Sequence, residues 1–373
     1  MEIRSNYKTA LIIFSLLIFS APAFGQILYG AKPSGNLQMI YSHWNLKRDN
    51  QTTKIHQLMV PMGGFIPLGE NFEASFYMAN SSNKLNIPDK EFSLSGASNL
   101  QFQVSHSFLS DVFLVSGGIN LPTGKTELNL NKEWLVAEYL ARDYLGFPMS
   151  RFGEGFGYNL LLGGATMLGS IRCGAGLAYQ YCGSYKPYNE ASKYKPGNYF
   201  SINIGADLRT GAMTYNSDII YTSYAKDEMD NHDIFKQSSQ FDIRFGGLFD
   251  NQVYNIALNM RYLIRGRNTQ YRTDESILEQ LKIYGNEFSA AGKISWYFTK
   301  DWYVAPSAEW RSIAANEEGF GESNIFGIGG NLGRKIGKKA DFGFGLKFLS
   351  GDADAGHIEL SGYQITTNLT AYF

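Results

Sequence analysis

The sequence is poor in several things at once. Its 373 residues include two cysteines, ten prolines and 18% charged residues, with a formal net charge of −1. Two cysteines exclude a disulfide scaffold. They stand as Cys173 and Cys182 in RCGAGLAYQYC, and an extended segment holds residues so spaced roughly 30 Å apart, too far to pair with each other. Charge so evenly balanced gives no electrostatic reason to expect nucleic acid as a partner. After the first twenty-odd residues no apolar run reaches the length of a membrane helix. A mean hydropathy of −0.22 is too polar for a bundle of such helices. No histidine or cysteine cluster has metal-ligand spacing, so neither a metal nor another cofactor is expected. Internal repeats, low-complexity tracts and linkers are missing as well, and residues 26–373 read as one domain.

What is abundant points to β-structure. The chain carries 40 Gly, 24 Tyr and 26 Phe, a composition suited to strands, tight turns and aromatic girdles. At the start, Arg4 and Lys8 precede the apolar LIIFSLLIFS and the small residues of APAFG. This is the pattern of an export signal, expected over 1–25 with cleavage near Gly25–Gln26. Beyond it, hydrophobic residues alternate with polar ones. From Val253 to Arg265, Tyr254, Ile256, Leu258, Met260, Tyr262 and Ile264 share one face, and Asn255, Ala257, Asn259, Arg261 and Arg265 the other. No helix distributes residues in that way. Residues 198–209, 240–249, 340–348 and 363–373 behave alike.

Alternation alone also fits a secreted soluble sandwich. Two features favour a membrane barrel. Short connections (PLGEN, FLSDV, MLGSI, RTG, FDNQ, FTKDW, GKKAD) alternate with long ones: KRDNQTT, then about 83–94, 122–152, 186–197, 226–237, 266–286, 316–322 and 351–359. Short periplasmic turns with long outer loops are the outer-membrane pattern. The last strand also ends on an aromatic residue, Phe373, which resembles the signal read by the barrel assembly machinery. The expected fold is therefore all-β: a transmembrane antiparallel up-and-down β-barrel of about sixteen strands, with fourteen as the other count, and short helices in extracellular loops. Its expected location is the outer membrane, with outer-membrane lipid around it.

In that fold Arg172, Asp207, Arg209, Asp218, Asp242, Arg244, Arg261, Arg265, Lys293, Glu309, Arg311 and Lys347 all fall on inward faces. An Arg or Lys facing lipid at the midplane would cost about 2–4 kcal/mol, which an inward position avoids. These residues are candidates for a pore lining, or simply solvate the lumen and pair across strands. Within 122–152, KEWLVAEYLARDYL reads as an amphipathic helix with Trp134, Leu135, Ala137, Leu140, Ala141 and Leu145 on its apolar side. Such a stripe needs something to bury it. The helix is expected either to fold into the lumen as a constriction, with Trp134, Leu135, Glu138 and Arg142 as its candidate residues, or to lie on the rim. A second helix-like stretch, TDESILEQLKIYG at 273–285, is expected to be rim structure.

The residues leading into that loop, GGINLPTGKTELN with Leu121, Pro122, Thr123 and Gly124, resemble the "LPTG" strand end of outer-membrane transporters linked to phenol meta-cleavage pathways, relatives of the long-chain fatty-acid transporters. The resemblance implies passage of small, often hydrophobic compounds. Unlike the fatty-acid transporters, the sequence has only 26–34 ahead of its first strand, too little for a plug domain. The leading function is thus a channel for small solutes, hydrophobic or aromatic ones included, and not an enzyme. Two alternatives stay open: a lipid-modifying enzyme, and a structural or secretion-associated barrel with a filled lumen. For the enzyme, His106 in QVSHSF cannot use Ser105 or Ser107, because adjacent strand residues point to opposite faces. His43, His56, His232 and His357 fall at strand ends or in loops. GIGGNLG at 327–333 echoes a dinucleotide fingerprint but lacks the surrounding βαβ unit and reads as strand.

Overall fold

A computed structural model describes residues 32–69, 71–109, 112–251, 253–272 and 274–373. The export signal expected over 1–25 lies outside them. The described residues start with β1 (Ser34–Arg48), β2 (Gln51–Pro67), β3 (Phe72–Ile87), β4 (Lys90–Ala97), β5 (Leu100–Phe108) and β6 (Phe113–Leu121). A helix α1 (Trp134–Leu140) and a 3-10 turn at Asp143–Leu145 interrupt the strands, followed by β7 (Gly157–Leu168), β8 (Ile171–Cys182) and β9 (Tyr194–Lys195). Next come β10 (Tyr199–Thr210), β11 (Met213–Tyr224), β12 (Lys226–Met229), β13 (His232–Lys236), β14 (Gln240–Asp250), β15 (Tyr254–Arg265), β16 (Asn268–Tyr271) and β17 (Ile277–Leu281). The last five are β18 (Glu287–Tyr297), β19 (Trp302–Ile313), β20 (Ser323–Ile336), β21 (Ala340–Ala353) and β22 (Ile358–Tyr372).

Each long strand pairs antiparallel with its neighbours, and β22 returns to pair with β1 from Ser34↔Tyr372 to Arg48↔Ile358. The sheet is therefore closed. Seventeen extended segments fill sixteen strand positions. The surplus is β4 and β5, two halves of one strand broken at Ser98–Asn99, since β3 pairs with β4 through Asn80–Ile87 and with β5 through Phe72–Tyr77. Closure removes the free edges that a lipid environment would leave without hydrogen bonds.

Alternation sorts the side chains as expected. On β15, Tyr254, Ile256, Leu258, Met260 and Tyr262 face outward at 38–40% exposure. Phe241, Ile243 and Phe245 on β14 and Phe342, Phe344 and Phe348 on β21 are likewise exposed. An exterior this apolar all the way round suits hydrocarbon and does not suit water. The soluble sandwich is excluded, because the Phe and Tyr rows are not enclosed between sheets.

Three of the long connections are different from expectation. KRDNQTT, 83–94 and 351–359 are strand rather than loop: β1 to β3, β21 and β22 run on to tight turns at 49–50, 88–89 and 354–357. Positive φ at Asp49, Asp89, Asp354 and Ala355 makes these turns, with aspartate tolerating the conformation better than most residues. The connections at 186–197, 226–237 and 266–286 carry β9, β12, β13, β16 and β17, which form a separate five-stranded rim sheet. The stretch 274–285 is thus not helical, since β17 occupies its centre and pairs with β16. Ile277 and Leu278 remain about half exposed there, so a helix would have found nothing to bury its stripe against. GIGGNLG lies within β20, and Cys173 and Cys182 are free thiols on β8.

Candidate lumen site

The 122–152 loop lies inside the barrel. Its backbone is held by inward side chains from strands far apart around the sheet. The Trp44 indole on β1 donates to the Leu145 carbonyl at 2.9 Å. Gln57 on β2 makes two bonds to one residue, donating to the Met149 carbonyl at 2.6 Å and accepting from the Met149 N–H at 3.1 Å. On the other side Arg311 of β19 donates to the Tyr144 carbonyl at 2.6 Å, and Arg265 of β15 meets the Asp143 carboxylate at 3.2 Å.

Around these bonds the loop forms a core with the wall. Val136, Leu140, Tyr144, Leu145, Phe147, Met149 and Phe152 pack with Trp44, Leu46, Ile55, Leu85, Leu94, Ile325 and Leu360. Burial of side chains this size contributes about 1.5–3 kcal/mol each, so the docked position is strongly held. The predicted helix is present but shorter, ending at Leu140, and its buried residues are Val136 and Leu140. The apolar side is therefore rotated from the one expected. Trp134 is 41% exposed and meets Tyr188 of the neighbouring loop edge-on at 5.3 Å. Leu135 is half-buried against the core. Glu138 pairs with Arg142 at 3.5 Å, and the Arg142 guanidinium lies 3.6 Å over the Tyr139 ring. Val136, Phe147, Met149 and Phe152 were missed. The signal that pointed to Phe147 and Met149 is an apolar run, LGFPM, in a connection that should have been polar had it faced water.

The base of the loop explains the LPTG segment. Asn99, 3% exposed at the break between β4 and β5, clamps both ends of the loop. Its Oδ1 accepts from Gly124 N at 3.1 Å and Glu154 N at 3.4 Å, while its Nδ2 donates to the Glu154 carbonyl at 3.0 Å. A Cβ on Gly124 would sit 2.7 Å from the Ala97 carbonyl, and one on Gly153 would sit 2.6 Å from the Gly124 carbonyl carbon. Close backbone approach, not a positive φ, is what these glycines provide. Pro122 follows the last ladder residue, where no donor is required.

Strand pairing sets several of the charges expected on inward faces side by side. Asp207 is in register with Arg172, Asp218 with Arg244, and Arg244 with Arg261. Asp242 sits between two guanidinium groups, accepting from Arg244 at 2.7 Å and from both Arg261 nitrogens at 2.9 Å. Gly205 makes room for Asp218, whose Oδ1 would lie 2.3 Å from a Cβ there. Further round, Glu309 holds Lys347 at 3.0 Å, Arg265 also reaches Glu287 at 3.5 Å, Lys293 is in register with Ala257 and Ser307, and Arg209 with Thr214. Apart from Lys347 on β21, these charges lie on β8 to β19, whereas the loop's apolar core is built mainly on β1–β4 with residues of β19 to β22. The loop turns Asp143 toward Arg265 and Arg311, two of those charges. Burial pushes the Asp143 carboxyl above the usual aspartate range. Arg265 and Arg311 pull it back, and Glu287 adds to the rise. Above them, burial pushes the Tyr185 hydroxyl up to about 12 and raises the Asp227 carboxyl. The Tyr194 hydroxyl and Gly197 N–H, which donate to Asp227 at 2.6 and 2.7 Å, oppose that second rise.

The one histidine placed among serines does not meet them. His106 faces outward, stacked on Phe72 at 3.9 Å, with its Nδ1 3.0 Å from the Asn71 carbonyl. Ser105 and Ser107 point inward, and Ser105 accepts from Ser116 at 2.7 Å.

A closed sixteen-strand antiparallel sheet with an apolar outside, a charged inside and a connection docked in its lumen defines a transmembrane barrel of the outer-membrane class. No family model matches the chain, and no curated protein does. Among solved structures it is similar to OccAB4 of Acinetobacter baumannii at 10% identity, with 92% of this chain and 99% of that one covered and a TM-score of 0.47. It is similar to OprD of Pseudomonas aeruginosa at 9% identity, covering 90% and 94%, with a TM-score of 0.43. A monoaromatic hydrocarbon channel, CymD, aligns at 11% identity over 92% and 89%, with a TM-score of 0.45. Likeness at this level concerns barrel architecture and says nothing about solute.

Proposed function

We propose that the chain is a passive channel for small solutes, hydrophobic and aromatic ones included. In this reading solute passes along the charged inner strip of Asp207, Arg209, Asp218, Asp242, Arg244, Arg261, Lys293 and Glu309, bounded at Arg265 and Arg311 by the docked 122–152 loop. The observation that carries it is the asymmetry of the lumen. The loop packs its apolar side on the β1–β4 wall and touches the facing wall at Arg265 and Arg311, and the rest of that wall is lined with ions that would be costly anywhere but next to water. Outer-membrane lipid covers the exterior, and the assembly machinery reads the last strand. In support, Phe373 is 79% exposed and its N–H donates to the Pro33 carbonyl at 2.9 Å, at the seam where β22 meets β1.

Full-length protein in planar bilayers should give discrete conductance steps in KCl, and in liposomes it should admit a small aromatic probe such as benzyl alcohol. A variant lacking 126–152 should conduct more. Silence from both proteins would overturn the channel reading. A silent full chain with a conducting deletion variant would instead favour a barrel with a filled lumen, to which the apolar loop core lends itself.

A further inference from the structure

The outer surface of β1, β2 and β22 carries a group of side chains that transport does not use. His43 and His56 face each other across β1 and β2, and Tyr363 lies beside His43 on β22. All three point outward, since their neighbours Trp44 and Gln57 point into the lumen. The two imidazole rings are 4.4 Å apart, with Nδ1 to Nδ1 at 3.0 Å. The Tyr41 hydroxyl reaches the same His56 Nδ1 at 2.8 Å. A ring nitrogen has one lone pair or one proton to offer, not two, so His56 Nδ1 is over-subscribed by two partners at hydrogen-bond distance.

We propose that this pair is a binding site for a late divalent transition metal, cupric ion first and nickel second. With metal–nitrogen bonds of about 2.0–2.1 Å, a 3.0 Å gap between nitrogens corresponds to an angle of about 90–97° at the metal. That is the cis edge of a square-planar or tetragonal ion, which is the preference of Cu(II) and Ni(II), whereas tetrahedral zinc needs the nitrogens further apart. Binding replaces the proton held between the rings and releases it to solvent. The Tyr41 hydroxyl, 2.8 Å from the ligating His56 Nδ1, competes with the metal for that lone pair, and water completes the shell. The site is pre-formed because its two ligands lie in register on paired strands. Leu58 and Met39 mark the lipid-facing surface on one side of it and the exposed Lys54 stands on the other; the exposed Lys84 is in register with His56 on β3, and His43 itself is 9% exposed.

The test is equilibrium dialysis of the detergent-solubilised full chain against Cu2+ alone, with electron paramagnetic resonance of the bound ion. The expected result is one cupric ion per chain with two equatorial nitrogens. His43→Ala and His56→Ala should each abolish that two-nitrogen spectrum, and His106→Ala should keep it. Tyr41→Phe should keep the spectrum and bind at least as tightly, because the hydroxyl competes for the ligating lone pair. Binding by the chain's amino group is common to every variant and subtracts out. A heat-dependent shift in gel mobility confirms that each variant is a folded barrel. An unchanged spectrum and stoichiometry in His43→Ala and His56→Ala would overturn the proposal, as would a wild-type ion with a single nitrogen ligand.

Discussion

At the scale of residues, much of the lumen's organisation depends on a few polar side chains with more than one partner. Asn99 is the clearest. Its carboxamide satisfies backbone groups of Gly124 and Glu154 at once, which fixes both ends of a loop of some thirty residues at the break between β4 and β5. Asn99→Ala leaves those buried groups without partners, at a cost of about 1–3 kcal/mol. Amide exchange across 125–152 should then speed up while exchange in β14 and β15 stays at wild-type rates. Equal protection in both proteins would mean that the wall contacts alone hold the loop. Asp242 works by charge. Asp242→Asn removes the carboxylate shared by Arg244 and Arg261, whose side chains are 25% and 35% exposed. Water reaching those guanidinium groups reduces the stability loss to roughly 1–2 kcal/mol. The larger effect is on selectivity: under a KCl gradient the reversal potential should move toward anion preference. A potential that does not move would place the ion path away from this strip.

At the scale of elements, the strands were legible and the connections largely were not. An up-and-down barrel exposes every second side chain to hydrocarbon, so Tyr254 to Ile264 and Tyr363 to Phe373 report their faces directly in sequence. Inward charges such as Asp207 and Arg261 follow from the same parity. What sits on what across the lumen depends on long-range packing that no local period encodes. For that reason α1 was visible as a helix with Leu140 on its apolar side but not as one that buries Val136, and 273–285 looked helical until β16 offered it a ladder. The pairing of His43 with His56, thirteen positions along the chain, could be found only from strand register. The loop also carries a titration that can be checked. Because burial outweighs its contacts with Arg265 and Arg311, the Asp143 carboxyl holds its proton more tightly in the folded barrel than in the unfolded chain. The charged form therefore costs stability at neutral pH. That cost is fully present above the folded-state value and disappears as pH falls through it toward the ordinary aspartate value. Asp143→Asn should match or exceed the wild-type melting temperature at pH 7, with the gap closing on acidification. A variant that melts lower at pH 7 and recovers nothing in acid would show that the Arg265 ion pair prevails.

At the scale of the whole molecule, the barrel and its loop are separable, and that gives the most direct test of how the lumen works. Closure rests on the sheet's own ladders, from β1↔β2 round to β22↔β1, and none of those hydrogen bonds involves 126–152. The loop's ends already touch, with the Gly153 N–H donating to the Lys125 carbonyl at 2.7 Å, so a short Gly-Ser link can replace 126–152 without stretching the rim. The excised barrel should insert in bilayers and keep its heat-dependent gel shift. It should melt at a lower temperature, because Trp44, Ile55, Leu85 and Leu94, now almost wholly buried, would face water instead. Its single-channel conductance should rise, and its ion selectivity should become less sensitive to Asp242→Asn, since a wider lumen leaves more of the current outside the reach of one charge. If conductance and selectivity stay unchanged, the loop does not bound the path, and the charged strip serves the wall rather than the solute.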